Sequence, residues 1–248
     1  DCANLMQYYE NPSNINTNLL FSELDGLCKL ADEINELRII GGDPFMNKDC
    51  CKIVSKATKY KQINKVVVYT NGTICPRIDQ LSEMVNEKTF IFITTYGELS
   101  KNAIRLTKLL DQVGIEYNIQ AAYGWTKCGD IRVHNRDEKL NKKIFKSCCA
   151  KNFTTMTDGK IFRCPFAANT ERLKAIPYSP NNFVSLNDLL KAKLTLRQKK
   201  QTLTHYLREI EYIPACDSCN GRTYGDTEIK PGMQASKPIE YQEFARNK

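Results

Sequence analysis

The sequence predicts an α/β fold with a parallel sheet, followed by a small cysteine-rich module. In residues 15–121, segments of helical periodicity and short apolar runs alternate in the order α-β-α-β-α-β-α-β. The predicted strands are near-continuous apolar runs, which are typical of parallel strands covered by helices. Further along the chain, cysteines gather around one turn signal and one C-x-x-C, a pattern typical of a metal site.

The predicted elements follow from the spacing of apolar residues. The first helix has Leu20, Leu24, Leu27, Ala31 and Ile34 on one face, which is the helical period. Later helices are expected at residues 50–59, 78–85 and 103–113. Strands are expected at residues 37–40, 65–69, 89–93 and 115–121. No internal repeat is visible beyond this alternation.

Three of the predicted strands end in polar, glycine-containing segments: G-G-D-P-F at residues 41–45, T-N-G at 70–72 and T-T-Y-G at 94–97. Each segment alone could be an ordinary turn, since Gly and Asn are common turn residues. The carboxyl ends of parallel strands lie at one edge of a sheet, and ligands bind beyond that edge. We therefore expect a ligand there, with Asn71 and Tyr96 in suitable places.

The polar segment 125–137 has little periodicity and is either a surface connection, which we favour, or a substrate-facing loop. It contains Cys128 and His134, but His134 has no companion at ligand spacing, and His205 is expected at the surface. The net charge of +8 comes largely from lysine-rich stretches at 139–151 and 191–200. These favour solvated helix faces, although a phosphorylated substrate could use them. No RNA-binding motif is present, so nucleic acid is not an expected partner.

The cysteine pattern surrounds a predicted hairpin. Asp158-Gly159 stands between two short β-prone runs, the strongest local hairpin signal because Gly tolerates positive φ. The hairpin would bring Cys148 or Cys149 near Cys164, and the Cys216-x-x-Cys219 motif supplies two more thiolates. Four such thiolates suit an iron–sulfur cluster or a structural zinc. The alternative is that they are unrelated, buried cysteines.

Composition limits the class of protein. The 248 residues are 42% hydrophobic and 26% charged, as in ordinary globular chains. No apolar run approaches the roughly 18 residues of a membrane span, and no signal-peptide pattern opens the chain. Eleven cysteines without an export signal predict a reducing, cytoplasmic location, where C-x-x-C usually means metal or redox chemistry.

Together these motifs resemble the radical S-adenosylmethionine (SAM) enzymes that carry a SPASM/Twitch-type extension. Residues 41–44, G-G-D-P, are similar to the G-G-E-P motif of that superfamily, and T-N-G at 70–72 is similar to the end of its third strand. Cys149, Gly159 and Cys164 match the pattern C-x(9–15)-G-x(4)-C, and Cys216 and Cys219 match the cysteines that complete its auxiliary cluster. The sequence D-G-K-I-F-R-C-P is especially similar to proteins associated with polysaccharide biosynthesis.

The resemblance implies a partial (β/α) barrel at residues 1–137, a SPASM/Twitch-like iron–sulfur module at 138–221 and a C-terminal tail at 222–248. It implies two cofactors, SAM and [4Fe-4S] clusters, with SAM bound through Gly41, Gly42, Asp43, Pro44, Asn71 and Tyr96. In the family, the motif's carbonyls and acidic side chain receive the amino group of SAM. The auxiliary cluster would be held by Cys148 or Cys149, Cys164, Cys216 and Cys219, and the reaction starts with a 5′-deoxyadenosyl radical.

Two features depart from the family. Asp43 replaces the usual Glu, which keeps the charge but shortens the side chain. The family's C-x(3)-C-x(2)-C triplet, which holds the SAM-binding cluster, is missing, and only Cys2 stands where its last cysteine would be. We therefore expect an N-terminally truncated sequence, whose catalytic cluster would need residues upstream of the first.

The expected function is oxidation or a related modification of a sugar or nucleotide sugar in glycan biosynthesis. The expected partners are a small-molecule substrate, for which a phosphorylated sugar is one candidate, and a one-electron donor such as flavodoxin or ferredoxin. One alternative is a peptide-modifying maturase, although no second set of cluster cysteines is visible. Another is a non-catalytic module that binds zinc or an iron–sulfur cluster.

Overall fold

The computed structural model describes residues 2–127 and 129–246. Two compact units make up the chain. One comprises Asn16–Gly124 with Lys230–Met233, and is called the sheet unit below. The other comprises Asp1–Ile15, Trp125–Ile229 and Gln234–Lys248, and is called the cysteine unit.

The sheet unit contains four parallel strands in the order β1-β2-β3-β4. The strands are β1 (Leu37–Ile39), β2 (Val66–Thr70), β3 (Thr89–Thr95) and β4 (Glu116–Ala121). Each strand pairs with the next strand of the chain, so the sheet is wound in one direction, as in the wall of a (β/α) barrel. This confirms the predicted α/β class and all four strands.

Four helices connect and cover these strands: α1 (Thr17–Leu30), α2 (Cys50–Ala57), α3 (Ile78–Ser82) and α4 (Ala103–Val113). All four were predicted, with ends that differ by a few residues. The Asn16 side chain begins α1 by accepting a hydrogen bond from the Leu19 amide (3.0 Å). Gly114 ends α4 with φ of 74°, the left-handed conformation that favours glycine at this position.

The two faces of the sheet differ in burial. On one face Val66, Val68, Ile91 and Ile93 join a buried core with residues of all four helices. The opposite face contains the alternate positions of the strands and is partly exposed, although Val67 is buried. This second face is called the open face below.

The cysteine unit has a three-stranded sheet in the order β5 (Thr155–Thr157), β6 (Lys160–Phe162) and β7 (Phe183–Ser185). The β5–β6 hairpin confirms the prediction, and Asp158 and Gly159 both have positive φ, 51° and 70°. The helices of this unit are α5 (Glu138–Ser147), α6 (Pro165–Arg172), α7 (Leu186–Lys191) and α8 (Leu196–Thr204). A π-helix, His205–Glu209, follows α8 directly.

This division differs from the expected domains, which placed residues 2–15 and 125–137 with the barrel. Leu5 is fully buried in a cluster with Phe166 and Leu173, and the Tyr9 hydroxyl donates to the Asn169 side chain (2.9 Å). The tail also has specific contacts, since the Phe244 amide donates to the Lys174 carbonyl (2.9 Å).

Within residues 2–127 and 129–246, no helix combines the length and the apolar character that crossing a membrane requires.

Candidate functional site

The carboxyl edge of the parallel sheet is organised by the buried carboxylate of Asp43, which is 7% exposed. Its Oδ2 atom accepts hydrogen bonds from the Thr70 hydroxyl (2.8 Å) and the Asn71 amide (3.2 Å). Its Oδ1 atom accepts one from the Phe45 amide (3.0 Å). The G-G-D-P segment after β1 is therefore fastened to the T-N-G segment after β2.

Desolvation raises the pKa of Asp43 above its ordinary value of 3.8, although the three hydrogen bonds act in the opposite direction. A carboxylate oxygen has about two acceptor positions, so three of about four are used within the chain. In contrast, Gly41 and Gly42, just before Asp43, are exposed, and a Cβ atom at Gly41 would meet nothing within 4 Å. The part of this motif that a ligand can approach is thus its backbone before Asp43.

Hydrogen bonds of the Ser100 side chain connect the end of β3 to the end of β2. The Ser100 hydroxyl donates to the Asn71 carbonyl (2.5 Å) and accepts from the Tyr96 amide (2.8 Å). Asn71 and Tyr96, which the sequence placed near a ligand, therefore lie at neighbouring strand ends. The Tyr96 ring packs near Gly232, where a Cβ atom would approach Tyr96 Cδ1 to 2.9 Å.

A close approach explains the glycine of the T-N-G segment. Gly72 has φ of 70°, and a Cβ atom there would lie 2.9 Å from the Cβ of Ala103. The Gly72 carbonyl also accepts from the Asn102 amide (3.0 Å), at the start of α4. A side chain at this position would push α4 away from the strand end.

The open face of the sheet contains residues that the sequence analysis did not single out. Tyr69 and Phe92 stack with ring centroids 5.2 Å apart, and the Arg38 guanidinium lies 5.2 Å from the Tyr69 ring. Glu36 pairs with Arg38 (2.5 Å) and accepts from the Tyr69 hydroxyl (3.3 Å). These residues could have been found from the sequence, because side chains point alternately to the two faces of a strand. Arg38, Tyr69 and Phe92 occupy the positions that face away from the helices.

In the cysteine unit, the structure distinguishes the two adjacent cysteines. Cys148 acts electrostatically on Cys164, Cys216 and Cys219. Cys149 interacts instead with Arg222 and Asp226, and its amide donates to the Arg222 carbonyl (2.9 Å). Of the two adjacent cysteines, Cys148 is thus the one whose charge acts on the other three thiols.

Burial raises the pKa of Cys164, Cys216 and Cys219 to about 12 in each case. The neighbouring thiols raise these pKa values further, since two thiolates repel each other. Cys164 packs against two hydrophobic clusters, one around Phe162 and Tyr206 and one around Leu5 and Phe166. The thiols thus lie in apolar surroundings where an uncompensated negative charge is unfavourable.

The described cysteines are all free thiols, ten in number. Within residues 2–127 and 129–246, no three His, Cys, Asp or Glu side chains lie close enough together to hold one metal ion. Cys148, Cys164, Cys216 and Cys219 act on one another electrostatically, but within the described residues they do not form such a group. Cys2 lies at the start of the N-terminal segment, where its carbonyl accepts from the Leu5 amide (2.9 Å).

Residues 130–136, expected to be a surface connection, form a strap along the C-x-x-C loop. The amides of Arg132 and His134 donate to the carbonyls of Ser218 and Asp217 (3.1 Å each). Ile131 and Cys219 form an antiparallel bridge. The ring of His134 contacts the Asn220 side chain (3.0 Å). Cys128, also in this segment by sequence, lies outside the described residues.

Arg136 connects this strap to both cysteines of the motif. Its Nη1 atom donates to the Cys216 carbonyl (3.0 Å) and to the Cys219 carbonyl (2.8 Å). Its positive charge also acts to lower the pKa of both thiols. The Arg136 amide donates to the Asp217 carboxylate (2.6 Å), so the loop is held by backbone and side chain together.

No known family model matches this chain. Part of the chain is similar to a cyclase. Over 106 residues it is 26% identical to the GTP 3′,8-cyclase of Clostridium acetobutylicum, a match that covers 38% of this chain and 33% of the cyclase. The chain thus spans about a third of the length of this curated relative. The structure of the present chain resembles the crystal structure of BtrN in complex with AdoMet and 2-DOIA, with a TM-score of 0.45 and 13% identity. The match covers 86% of this chain and 82% of the BtrN chain. A likeness at that level carries no conclusion about function.

Proposed function

We propose that this chain is part of a radical SAM iron–sulfur enzyme that modifies a sugar or nucleotide sugar in glycan biosynthesis. The observation that carries the proposal is the bond network of Asp43, which brings G-G-D-P and T-N-G together at the carboxyl edge of a parallel sheet. This is the edge at which ligands of such sheets bind. The similarity to a GTP 3′,8-cyclase supports the proposal, because that enzyme is of the radical SAM type.

SAM, when bound to its cluster, supplies the radical that abstracts hydrogen from an unactivated carbon, which no ordinary side chain can do. In our proposal the exposed backbone of Gly41 and Gly42 receives SAM. Asp43 and Pro44 shape that loop, since the Asp43 side chain points into the protein. Asn71 and Tyr96 flank the same edge. Cys2 is proposed as one ligand of the SAM-binding cluster.

A substrate would lie on the open face. The stacked pair of Tyr69 and Phe92 offers an aromatic surface for a sugar or base ring. Arg38 and Glu36 supply a charged donor and an acceptor beside it, which can orient hydroxyl groups. This set of side chains fits a polar, ring-bearing small molecule better than an extended apolar one.

The auxiliary [4Fe-4S] cluster is assigned to Cys148, Cys164, Cys216 and Cys219. Four thiols in apolar surroundings suit this group, because iron neutralises thiolates that are otherwise unfavourable there.

When each of the four irons has a cysteine ligand, no iron is open to bind the substrate. The cluster would then accept an electron from the substrate radical. A small electron-transfer protein such as flavodoxin or ferredoxin is the proposed donor. The proposed location is the cytoplasm, where thiols stay reduced.

The test is anaerobic reconstitution of the 248-residue chain, followed by measurement of iron, sulfide and zinc and by electron paramagnetic resonance. We expect about four iron and four sulfide per chain, as one cluster requires. About eight iron would mean that Cys2 and further ligands hold a second cluster in this chain. One zinc without a cluster would contradict the proposal and favour the structural module. A cluster spectrum with an open iron would contradict the electron-acceptor role.

A further inference from the structure

The cysteine unit contains a cleft of about 520 Å³ whose walls are strongly basic. It is formed by α5, the loop after it, and the π-helix with the residues that follow. Its cationic residues are Lys142, Lys143, Lys146, Lys151, Arg163 and Arg208, and its only carboxylate is Glu211. A volume of this size is typical of a small-molecule site, for which about 300–1,000 Å³ is usual.

Only part of this positive charge is compensated. Lys142 pairs with Glu138 (2.9 Å) and Glu211 (2.7 Å). Within the described part of the chain, no carboxylate pairs with Lys143, Lys146 or Arg208. Like charges held around a concave surface repel each other and attract an anion from solution.

Arg163 anchors the base of the cleft. It is only 4% exposed, and its Nη1 atom donates to the Tyr206 carbonyl (2.9 Å) while its guanidinium lies 5.0 Å from the Phe145 ring. Arg208 is close enough to repel it. The Arg163 Nε atom also donates to the Lys151 carbonyl (3.3 Å), so its acceptors are neutral and no carboxylate balances its charge within the described residues. A buried cation that is balanced only by neutral groups favours an anion nearby. In the metal-free chain Cys164 and Cys216 are neutral thiols, because burial raises the pKa of both to about 12, so they do not offset the charge of Arg163.

The π-helix is a second sign of function in this region. Such helices are rare, and they occur most often at functional sites because the extra residue redirects the side chains that follow. Here the π-helix includes Leu207 and Arg208, both of which line the cleft.

We propose that this cleft binds a small phosphorylated molecule through Lys143, Lys146, Arg163 and Arg208. Phosphate oxygens accept charge-assisted hydrogen bonds from both lysine and arginine, and two linked phosphates would span several of these groups. The compact, concave shape favours a small molecule over nucleic acid, which binds along extended basic stripes with aromatic residues. None of these four residues is among the proposed cluster ligands, so binding can be tested without iron.

The test is calorimetric titration of the metal-free 248-residue chain with inorganic pyrophosphate at constant ionic strength. We expect saturable binding of one pyrophosphate per chain. The double variant Lys143→Gln/Arg208→Gln should weaken it at least about tenfold, since two charge-assisted contacts are lost. Both side chains are exposed, so the variant should fold, and its melting temperature checks this.

The matched control is Lys191→Gln/Lys193→Gln, which removes the same charge from a region outside the cleft and should bind pyrophosphate as the wild type does. Equal weakening in both variants would show that only net charge matters and would overturn the proposal. Absence of saturable binding would also overturn it. So would tight binding of a 12-nucleotide RNA that pyrophosphate cannot displace. Because no iron is present, failure here is distinguishable from failure of the proposed enzyme function.

Discussion

The Thr70 hydroxyl donates a hydrogen bond of 2.8 Å to the carboxylate of Asp43, and this bond joins the loop after β1 to the end of β2. Both partners are buried, at 3% and 7% exposed. A buried carboxylate needs such donors, because desolvation without them is costly. The buried side chain of Asp43 therefore holds the loop in place through hydrogen bonds, whereas Gly41 and Gly42 before it are exposed to solvent.

This arrangement predicts a specific pH dependence. The folded pKa of Asp43 is raised above 3.8, so its contribution to stability is fully present below pH 3.8 and is lost as the pH rises through the folded pKa. The stability of the wild type relative to Asp43→Asn should therefore fall with rising pH. Urea unfolding of both proteins across acidic to neutral pH measures this difference.

The control for that experiment is Asp79→Asn. Arg77 lowers the pKa of the exposed Asp79 to about 2, so its contribution has the opposite sign. It should be present above pH 3.8 and disappear as the pH falls toward 2, and it should be small because solvent screens the pair. The stability of the wild type relative to Asp43→Asn could instead stay constant or grow with pH. That result would mean that the buried carboxylate is not desolvated as described.

Gly72→Ala should destabilise the sheet unit more than Gly97→Ala does. Both glycines have positive φ, 70° and 61°, which costs about 1–2 kcal/mol for alanine. Only Gly72 faces a neighbour, the Ala103 Cβ at 2.9 Å, and this overlap adds about 1–3 kcal/mol. Thermal or urea unfolding compares the two variants. Equal losses of unfolding free energy in the two variants would mean that α4 moves to accommodate the new methyl group without a measurable energetic penalty.

Cys148→Ser and Cys149→Ser should differ sharply in iron content. Cys148 is close enough to act on the charge of the other three thiols, whereas the Cys149 amide donates to the Arg222 carbonyl. After anaerobic reconstitution, Cys149→Ser should retain about four iron per chain, and Cys148→Ser should lose most of it. The opposite result would assign Cys149 to the cluster. Unchanged iron content in both variants would mean that neither cysteine is a cluster ligand.

Arg136→Gln should loosen the C-x-x-C loop. Two hydrogen bonds to the carbonyls of Cys216 and Cys219 are lost, at a cost of about 1–3 kcal/mol. In the metal-free protein, the backbone amides of residues 216–219 should exchange with deuterium faster, and mass spectrometry measures the exchange. Arg132→Gln is the control, because Arg132 contacts the loop through its backbone amide. Equal exchange rates in both variants would contradict a positioning role for Arg136.

Much of the fold could be predicted because its signals are local. The helical spacing of Leu20, Leu24 and Leu27 and the apolar runs of the strands depend only on neighbouring residues. The hairpin was predictable for the same reason, since Asp158-Gly159 sets its turn without help from the rest of the chain. Helix ends were less accurate, because they depend on caps and on packing.

The N-terminal segment and the tail gave no such signal. Leu5 and Tyr241 occur in polar, aperiodic stretches, yet both pack against residues near Leu173 in the cysteine unit. Contacts of this kind join segments far apart in sequence, and no local pattern reports them. The strap at 130–136 is similar, because its hydrogen-bond partners lie more than eighty residues away.

The sequence alone determined the α/β class, the order of elements in residues 15–121, the hairpin and the identity of the candidate cysteines. Only the tertiary structure decided that Cys148 acts on the charge of the other thiols, that Asp43 points into the protein and that Arg163 underlies a basic cleft. The physical reason is that periodicity and turn chemistry act over a few residues. The direction in which a side chain points is set by what packs against it, and those partners come from elsewhere in the chain.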